Sequence, residues 1–355
     1  MIGADSRPAQ KKHALQTLCD LCYTLQEDPG ILVAIAAAGA IPPLVQLLGL
    51  YASDGNKLLS PDVEELLSPE DLQCFPVAAL LALSENDDNT VSIAGAGAVP
   101  RVVQLLLPDA PSYMLEPAAA LLYNLTRVNA EVAGTVIPAG AVPRLVLLLG
   151  PGSTPATQWQ AAGVLELLSV HAGNRATVAA AGAIPMLVQL LGSGSSSEAQ
   201  RSAAWALDHL SGDVANRATI AAAGAVPLLV QLLGPGSTGS VLVVAAAALA
   251  NLAQNADNMV AIAAAGAIPL LVNLLGPGSS PDPDVEQCTA GFLSNLTIDD
   301  DQNTAAIVAA GGFSALVRLG ARSTDPQTQA AIASFLSLFT PFEVAVAMRQ
   351  DRQRA

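Results

Sequence analysis

The sequence has few aromatic and few charged side chains. Of its 355 residues, 3% are aromatic and 13% are charged, whereas about 25% of the residues of an ordinary soluble domain are charged. Because 52% are hydrophobic, a membrane protein is the first class to consider. The longest uncharged stretch, residues 218–256, is broken by Gly224-Ala-Val-Pro227 and by Gly234-Pro-Gly-Ser237. Its best apolar segment, residues 241–253, is shorter than the ~20 residues that span a bilayer.

Signals that direct a protein to a membrane are also missing at the N-terminus. The first residues contain no apolar core of a signal peptide, and Ile2 stands where myristoylation requires glycine. We therefore expect a soluble protein of the cytoplasm or the nucleus, monomeric and without a membrane partner.

Basic residues are scarce. The chain has 15 Lys and Arg against 30 Asp and Glu, a formal net charge of −15. Both ends, residues 1–12 and 341–355, carry a small excess of positive charge, so the body between them is more acidic than the whole chain. Nucleic-acid binding depends on neutralising phosphates with Lys and Arg, and this balance argues against it. An acidic body favours a basic partner.

The four cysteines are too few and too scattered for a disulfide framework. The close pair Cys19 and Cys22 lacks two further ligands at the spacing of a zinc site. A redox pair would open a helix after a strand, and no strand is predicted here. Packing within helices is the preferred interpretation for all four.

The pattern contains no catalytic constellation. The histidines, His13, His171 and His209, fall in separate segments without metal-ligand spacing. Asp208 and His209 are neighbours on a predicted helix, where adjacent side chains point apart, so we expect no relay between them. The sequence therefore predicts a non-enzymatic protein without a cofactor or a bound metal.

A five-residue pattern, Ala-Gly-Ala-Ile/Val-Pro, recurs along the chain. Its glycines are separated by 42 or 43 residues and are Gly97, Gly140, Gly182, Gly224 and Gly266. Gly39-Ala-Ile-Pro42 precedes them at a longer interval, and Gly311-Gly-Phe313 follows without the proline. Most of the glycines lead into a run such as Leu187-Val-Gln-Leu-Leu191, then a Gly/Ser/Pro linker, then an alanine-rich segment. Such a fixed period indicates a repeat architecture.

Each unit of the repeat predicts three helices. The glycine can adopt positive φ and end the first helix, and the proline fits the first turn of the second helix. The Leu-Val-x-Leu-Leu run is the buried stripe of the second helix, and the alanine-rich segment is a mostly buried third helix. Asparagines stand eight residues before five of the glycines, where we expect them to cap the first helix; they are Asn89, Asn174, Asn216, Asn258 and Asn303.

These residues resemble the armadillo repeat, in which Gly-x-Ile-Pro enters the second of three helices and Leu-Val-x-Leu-Leu follows. The resemblance implies an all-α, armadillo-type α-solenoid, a right-handed superhelix of three-helix repeats with the third helices lining a concave groove. It covers residues 13–340, about seven to eight repeats with an insertion at about residues 50–73. Residues 1–12 would then form an N-terminal cap, and residues 341–355 a C-terminal cap or tail.

Armadillo repeats often carry an asparagine late in the third helix that binds the backbone of an extended peptide. The register predicts a partner-binding groove formed by Tyr123, Asn124, Trp159, Glu166, Trp205, Asp208, His209, Asn251 and Asn295. Aromatic rings and carboxylates suit the stems and charged heads of Lys and Arg. Two alternatives stay open: the tryptophans fill gaps between alanine-rich helices, and the asparagines satisfy buried backbone groups.

Acidic residues cluster before the predicted first helices, at Glu27-Asp28, Glu85-Asn-Asp-Asp88 and Asp299-Asp-Asp301. They either offset the helix dipole or form an edge that docks a partner. The insertion contains Ser60-Pro61 and Ser68-Pro69, which are either phosphoacceptor sites or parts of a plain loop.

The sequence therefore predicts a scaffold that recognises an extended, basic protein segment in its groove. One alternative is a substrate-recruiting armadillo module of a ubiquitin-ligase system. The other is an importin-α-like nuclear transport adaptor, but only Trp205 stands at the tryptophan position of such adaptors, and His209 replaces its asparagine partner.

Overall fold

The computed structural model describes Thr17 and residues 29–48, 69–107, 110–128, 130–276, 282–298 and 300–340. The two predicted caps, the pair Cys19 and Cys22, the acidic pair Glu27-Asp28, and residues 50–68 of the predicted insertion lie outside these ranges. The final five residues assigned to the insertion, 69–73, belong to a helix that begins at Pro69.

The described residues form 21 helices and no strand, in seven successive groups of three. In chain order they are α1 Pro29–Ala37, α2 Ile41–Leu48, α3 Pro69–Leu83; α4 Asp87–Gly95, α5 Ala98–Leu105, α6 Ser112–Val128; α7 Ala130–Val136, α8 Ala141–Leu148, α9 Pro155–Val170; α10 Ala172–Ala180, α11 Ala183–Leu190, α12 Ser197–Ser211; α13 Val214–Ala222, α14 Ala225–Leu232, α15 Gly239–Leu252; α16 Ala256–Ala264, α17 Ala267–Leu274, α18 Pro283–Leu296; and α19 Asp301–Ala309, α20 Gly312–Arg322, α21 Pro326–Leu336. The predicted all-α architecture of three-helix repeats is confirmed.

The chain divides into two compact units, residues 1–182 and residues 183–355. Within unit 1 the third helices α3, α6 and α9 pack in succession. Within unit 2 the third helices α12, α15, α18 and α21 do the same. Each unit is therefore a stack in which a repeat touches the repeats before and after it.

A glycine with left-handed backbone joins the first helix of each repeat to the second. Gly266, with φ of +83°, separates α16 from α17, and the two helices meet there at 74°. The left-handed conformation costs an L-residue with a Cβ roughly 1–2 kcal/mol, which explains why glycine recurs at this corner. Pro269 lies in the first turn of α17, as predicted.

The predicted buried stripe of the second helix is also confirmed. In α11 and the residue after it, Leu187, Val188, Leu190 and Leu191 are all buried. Burying one such side chain contributes about 1.5–3 kcal/mol. In the third helices, small side chains such as those of Ala245, Ala246 and Ala248 are buried, so neighbouring helices can approach closely.

Third helices are also fixed to the second helix of their own repeat by glutamine side chains. Gln200 Nε2 in α12 donates to the backbone oxygens of Leu191 and Gly192, at 3.3 and 3.0 Å. Gln158 and Gln329 make the equivalent bonds in α9 and α21. These carbonyls end a helix and have no partner within it, so the glutamine both satisfies them and sets the position of the third helix.

The prediction that the repeated asparagines cap the first helix is wrong. The cap of α16 is Asn255, whose Oδ1 accepts from the backbone N–H of Asn258. Asn258 is buried inside the helix, and its Nδ2 donates to the backbone oxygens of Leu252 and Arg217, both at 3.2 Å. Since Leu252 ends the preceding third helix and Arg217 lies one repeat earlier, this amide joins segments rather than starting a helix.

The same bond recurs in other repeats. Asn89, Asn174 and Asn216 each donate to the backbone oxygen six residues earlier, at the end of the preceding third helix. Asn303 differs, because its Nδ2 donates to the side chain of the cap residue Asp300. The carbonyls at a helix end lack intrahelical partners, which is the physical reason for the position of these asparagines.

Acidic side chains stand at the starts of several first helices. Asp87 and Asp88 lie in the first turn of α4, and Asp301 lies in the first turn of α19. Their negative charge offsets the positive end of the helix dipole. Docking of a partner along this edge stays a prediction.

No single described helix has both the length and the hydropathy that a membrane span requires. Three pairs of successive helices that meet at sharp bends, among them α16 with α17, reach them only together, by length and composition.

We expect Asn258→Ala to lower the free energy of unfolding by about 1–3 kcal/mol, because the buried carbonyl of Leu252 and the partly buried carbonyl of Arg217 both lose their donor. Asn273→Ala, at an exposed position of the next helix, is the matched control and should stay within about 0.5 kcal/mol of the parent. Urea denaturation followed by circular dichroism measures both. Equal midpoints for the two variants would contradict the bridging role.

Candidate partner-binding face

The third helices of unit 1 bring four of the predicted residues onto one surface. We call it the third-helix face of unit 1; it comprises Tyr123, Asn124, Trp159 and Glu166. The rings of Tyr123 and Trp159 meet edge to face, with centroids 5.3 Å apart and planes at 74°. Such pairs contribute about 0.5–1.5 kcal/mol beyond their buried area. Both residues remain partly exposed, so the pair is packed on one side and open on another.

Asn124 is anchored to the preceding third helix. Its Nδ2 donates to Ser84 Oγ at 2.9 Å, and Ser84 Oγ donates in turn to the backbone oxygen of Leu81 at 2.6 Å. Ser84 is fully buried. The Asn124 amide therefore donates to a side-chain hydroxyl. The alternative that this asparagine satisfies a buried backbone group does not describe this contact.

Acidic side chains flank the aromatic pair. Glu166 lies two helical turns after Trp159 on α9 and is half-buried, so the two share a face of the helix. Glu116 on α6 accepts a hydrogen bond from Thr154 Oγ1 at 3.0 Å. Thr154 is also the cap of α9, and this bond therefore ties the start of one third helix to the side of the previous one.

The third helices of unit 2 carry the other five predicted residues. The third-helix face of unit 2 comprises Trp205, Asp208, His209, Asn251 and Asn295. The His209 ring stacks on Trp205, one helical turn earlier, with centroids 5.6 Å apart and planes at 19°. Both rings are partly exposed. The imidazole therefore lies against one face of the indole, and the indole stays partly exposed.

The expectation that Asp208 and His209 point apart is wrong. His209 Nδ1 lies 3.9 Å from Asp208 Oδ2, because the ends of both side chains converge although their Cβ atoms diverge. This separation is too long for a hydrogen bond, so the pair does not form a proton relay in this geometry.

Asp208 contacts the next third helix. Asn251 Nδ2 donates to Asp208 Oδ1 at 2.7 Å, and Asn251 Oδ1 accepts from Gln254 Nε2 at 3.1 Å. The Asp208 residue is only 8% exposed. A hydrogen bond to a buried carboxylate is short and strong. The sequence predicted Asp208 as a direct partner contact, whereas one of its carboxylate oxygens accepts a hydrogen bond from Asn251.

The three asparagines of the predicted groove therefore differ. Asn124 and Asn251 are held by the preceding repeat, whereas Asn295 is exposed and its amide makes no hydrogen bond with the described residues. Ser84 and Gln254 were missed by the sequence interpretation. Gln254 had a local signal, since it stands only three residues after Asn251, in the turn that follows α15; Ser84 had none.

Burial and nearby carboxylates act on the thiol of Cys288 in α18. Burial, and then the carboxylates of Asp284, Asp208 and Asp282, raise the pKa of the Cys288 thiol on α18. Cys288 therefore stays protonated near neutral pH, and Asp208 lies close enough to α18 to act on it. Among the described residues, no group of three His, Cys, Asp or Glu side chains is placed to hold a metal ion.

The family model for the armadillo/beta-catenin-like repeat matches residues 86–127, 171–212 and 213–254. The chain is an armadillo-repeat protein. The matched segments begin at the cap of a first helix and end in the region of a third helix, so each armadillo match covers one of the three-helix groups.

Solved structures with the same fold include engineered armadillo proteins. An engineered protein studied by a structural genomics consortium is 29% identical, with a TM-score of 0.78 over 99% of this chain and 80% of that chain. A designed armadillo repeat protein in complex with the peptide (KR)4 is 25% identical, with a TM-score of 0.58 over 72% of this chain and 99% of that chain.

A curated relative is similar over a shorter stretch of the chain. The U-box domain-containing protein 12 of Arabidopsis thaliana is 37% identical over 90 residues, which is 25% of this chain. The match spans 14% of the length of that relative.

Asp284→Asn should accelerate alkylation of Cys288, because Asp284 is the carboxylate that raises the thiol pKa most, and its removal lowers that pKa and increases the reactive thiolate. Iodoacetamide labelling at pH 8, followed by peptide mass spectrometry, measures the rate at Cys288 alone. Asp257→Asn makes the same charge change on α16 and is the control. Identical rates in the two variants would show that the carboxylates do not act on Cys288.

Proposed function

We propose that this chain is a non-enzymatic scaffold that binds an extended, basic segment of a partner protein along its third-helix faces. The main support for this proposal comes from the third-helix face of unit 2. There, a partly exposed tryptophan, a buried carboxylate and two asparagine amides lie on successive packed helices.

The chemistry of these side chains fits Lys and Arg. An indole face attracts a cation within about 6 Å of the ring centre, contributing about 0.5–2 kcal/mol. The long methylene stems of Lys and Arg can lie along apolar rings while the charged head stays near carboxylates or water. Tyr123 and Trp159 offer a second aromatic surface, with Glu166 on the same helix.

Long-range charge supports the same partner class. The net charge of −15 attracts a basic segment and speeds its association. It also keeps copies of the chain apart, which supports a monomer. The designed armadillo protein that was solved with (KR)4 supports a basic peptide as the first probe. The proposed site of action is the cytoplasm or the nucleus.

We expect labelled (KR)4 to bind the parent chain and Trp205→Ala to weaken binding by about 5–30-fold, the loss expected for a central aromatic contact. Fluorescence anisotropy measures the dissociation constant, and thermal unfolding checks that the variant is folded. Val260→Ala removes a 65%-exposed apolar side chain from the first helix α16 and should bind as the parent does.

The salt dependence of binding and a second peptide test whether the interaction depends on charge. Binding of (KR)4 should weaken as NaCl rises, because exposed charges are screened, and the acidic peptide (ED)4 should not bind. Equal affinity of the Trp205 and Val260 variants, or equal binding of (ED)4, would contradict the proposal.

A second candidate is the substrate-recruiting module of a ubiquitin-ligase system. The similarity to the U-box protein over 90 residues favours it. If it holds, partners captured by the parent chain but not by Trp205→Ala should carry more ubiquitin and turn over faster when the chain is overproduced. Partners with unchanged ubiquitin content and lifetime would leave the plain scaffold as the function.

A further inference from the structure

Two groove asparagines share an arrangement that the repeat pattern alone does not require. In unit 1, the Asn124 amide donates at 2.9 Å to Ser84, the residue that follows the preceding third helix. In unit 2, the Asn251 amide donates to Asp208 on the preceding third helix at 2.7 Å. Both acceptors are buried. In each unit, a buried group of one repeat therefore controls the amide of the next.

The bonds that remain available on Asn251 can be counted. A carboxamide has two N–H donors and two oxygen lone pairs. One donor is used by Asp208 and one lone pair by Gln254. One donor and one acceptor are left on a half-buried side chain. This pair complements a single peptide unit, which offers one C=O and one N–H.

The remaining donor and acceptor of Asn251 bind a peptide unit best if the amide is already oriented. The terminal torsion of asparagine is broad, so an unrestrained amide must lose rotational freedom when a ligand binds. The Asp208 carboxylate accepts only, and a donor must face it. It therefore fixes which end of the Asn251 amide is nitrogen and which is oxygen, while Gln254 holds the oxygen end.

We propose that Asp208 is a positioning residue for partner binding. It presets the Asn251 amide for the backbone of an extended segment, instead of meeting a partner's cation with its own charge. This role rests on the proposed function. It differs from the direct partner contact that the sequence predicted for Asp208. The same reasoning applies to Ser84 and Asn124 with a neutral acceptor.

The first experiment tests positioning in the ligand-free chain. In nitrogen-15 NMR spectra, the two Nδ2 protons of Asn251 should be well separated and slow to exchange with water. Asp208→Ala should bring the two resonances together and speed their exchange. Asp208→Asn, which keeps a side-chain oxygen, should preserve them. An Asn251 amide unchanged in Asp208→Ala would overturn the positioning role.

Ser211→Ala is the matched control for this experiment. Ser211 is buried on the same helix, three residues after Asp208, and its Oγ donates to the Asp208 backbone oxygen at 2.6 Å. The variant thus removes an internal hydrogen bond without touching Asn251, and it should leave the Asn251 resonances in place. Loss of the resonances in both variants would indicate general loosening of the helix and overturn a specific role.

The second experiment is a double-mutant cycle with (KR)4 as the probe. Asp208→Ala and Asn251→Ala should each weaken binding about 5–10-fold, and the double variant should be no weaker than either, because one acts through the other. Asp208→Asn should bind within about twofold of the parent. Additive losses, or an Asp208→Asn variant as weak as Asp208→Ala, would assign a direct charge contact and overturn the proposal.

The two experiments separate the two possible failures. A parent chain that does not bind (KR)4 overturns the proposed function, whatever the NMR spectra show. A parent that binds (KR)4 with an Asn251 amide insensitive to Asp208 overturns the positioning role and leaves the proposed function standing. Thermal unfolding of each variant confirms that binding is compared between folded chains.

Discussion

Packing of each third helix against the next is the contact on which the rest of the structure depends. Alanine-rich surfaces let these helices approach closely within each unit, and alanine also favours helix at every position. The second helices add the larger Leu and Val side chains, and the glutamines and buried asparagines satisfy the helix ends that this packing encloses. A chain built in this way needs few aromatic residues for its core, so the partly exposed tryptophans are notable.

Local signals predicted the fold well, because each acts within a few residues. Gly266 ends one helix, Pro269 begins the next, and the following leucines mark its buried side. The helices and their order follow from these signals and from the period. The buried asparagines were assigned wrongly for the opposite reason: Asn258 bonds Leu252 and also Arg217, 41 residues earlier. A cap and a bridge use the same residue type, and only the tertiary structure separates them.

The candidate site shows the same limit. The register of the repeat brought Trp205, Asp208 and His209 onto one helix and Asn251 onto the next, as the structure has them. It did not indicate that Asp208 reaches Asn251 across 43 residues, or that His209 stacks on Trp205. Side-chain orientation depends on which neighbour offers a partner, and a linear pattern does not contain that information. Binding by these residues stays a prediction, whereas their arrangement is now defined.

Neighbour-only bonding has a consequence for how such a chain can change in length. The asparagine bridges, the glutamine bonds and the helix contacts described within each unit reach the same repeat or an adjacent one. Duplicating or deleting a whole repeat would therefore supply every remaining repeat with equivalent neighbours. The Asp208–Asn251 pair and the Ser84–Asn124 pair are exceptions, since each requires two particular repeats in one order. Duplication could lengthen the array elsewhere, while a repeat inserted between α12 and α15 would separate the Asp208–Asn251 pair and erase whatever selectivity it confers.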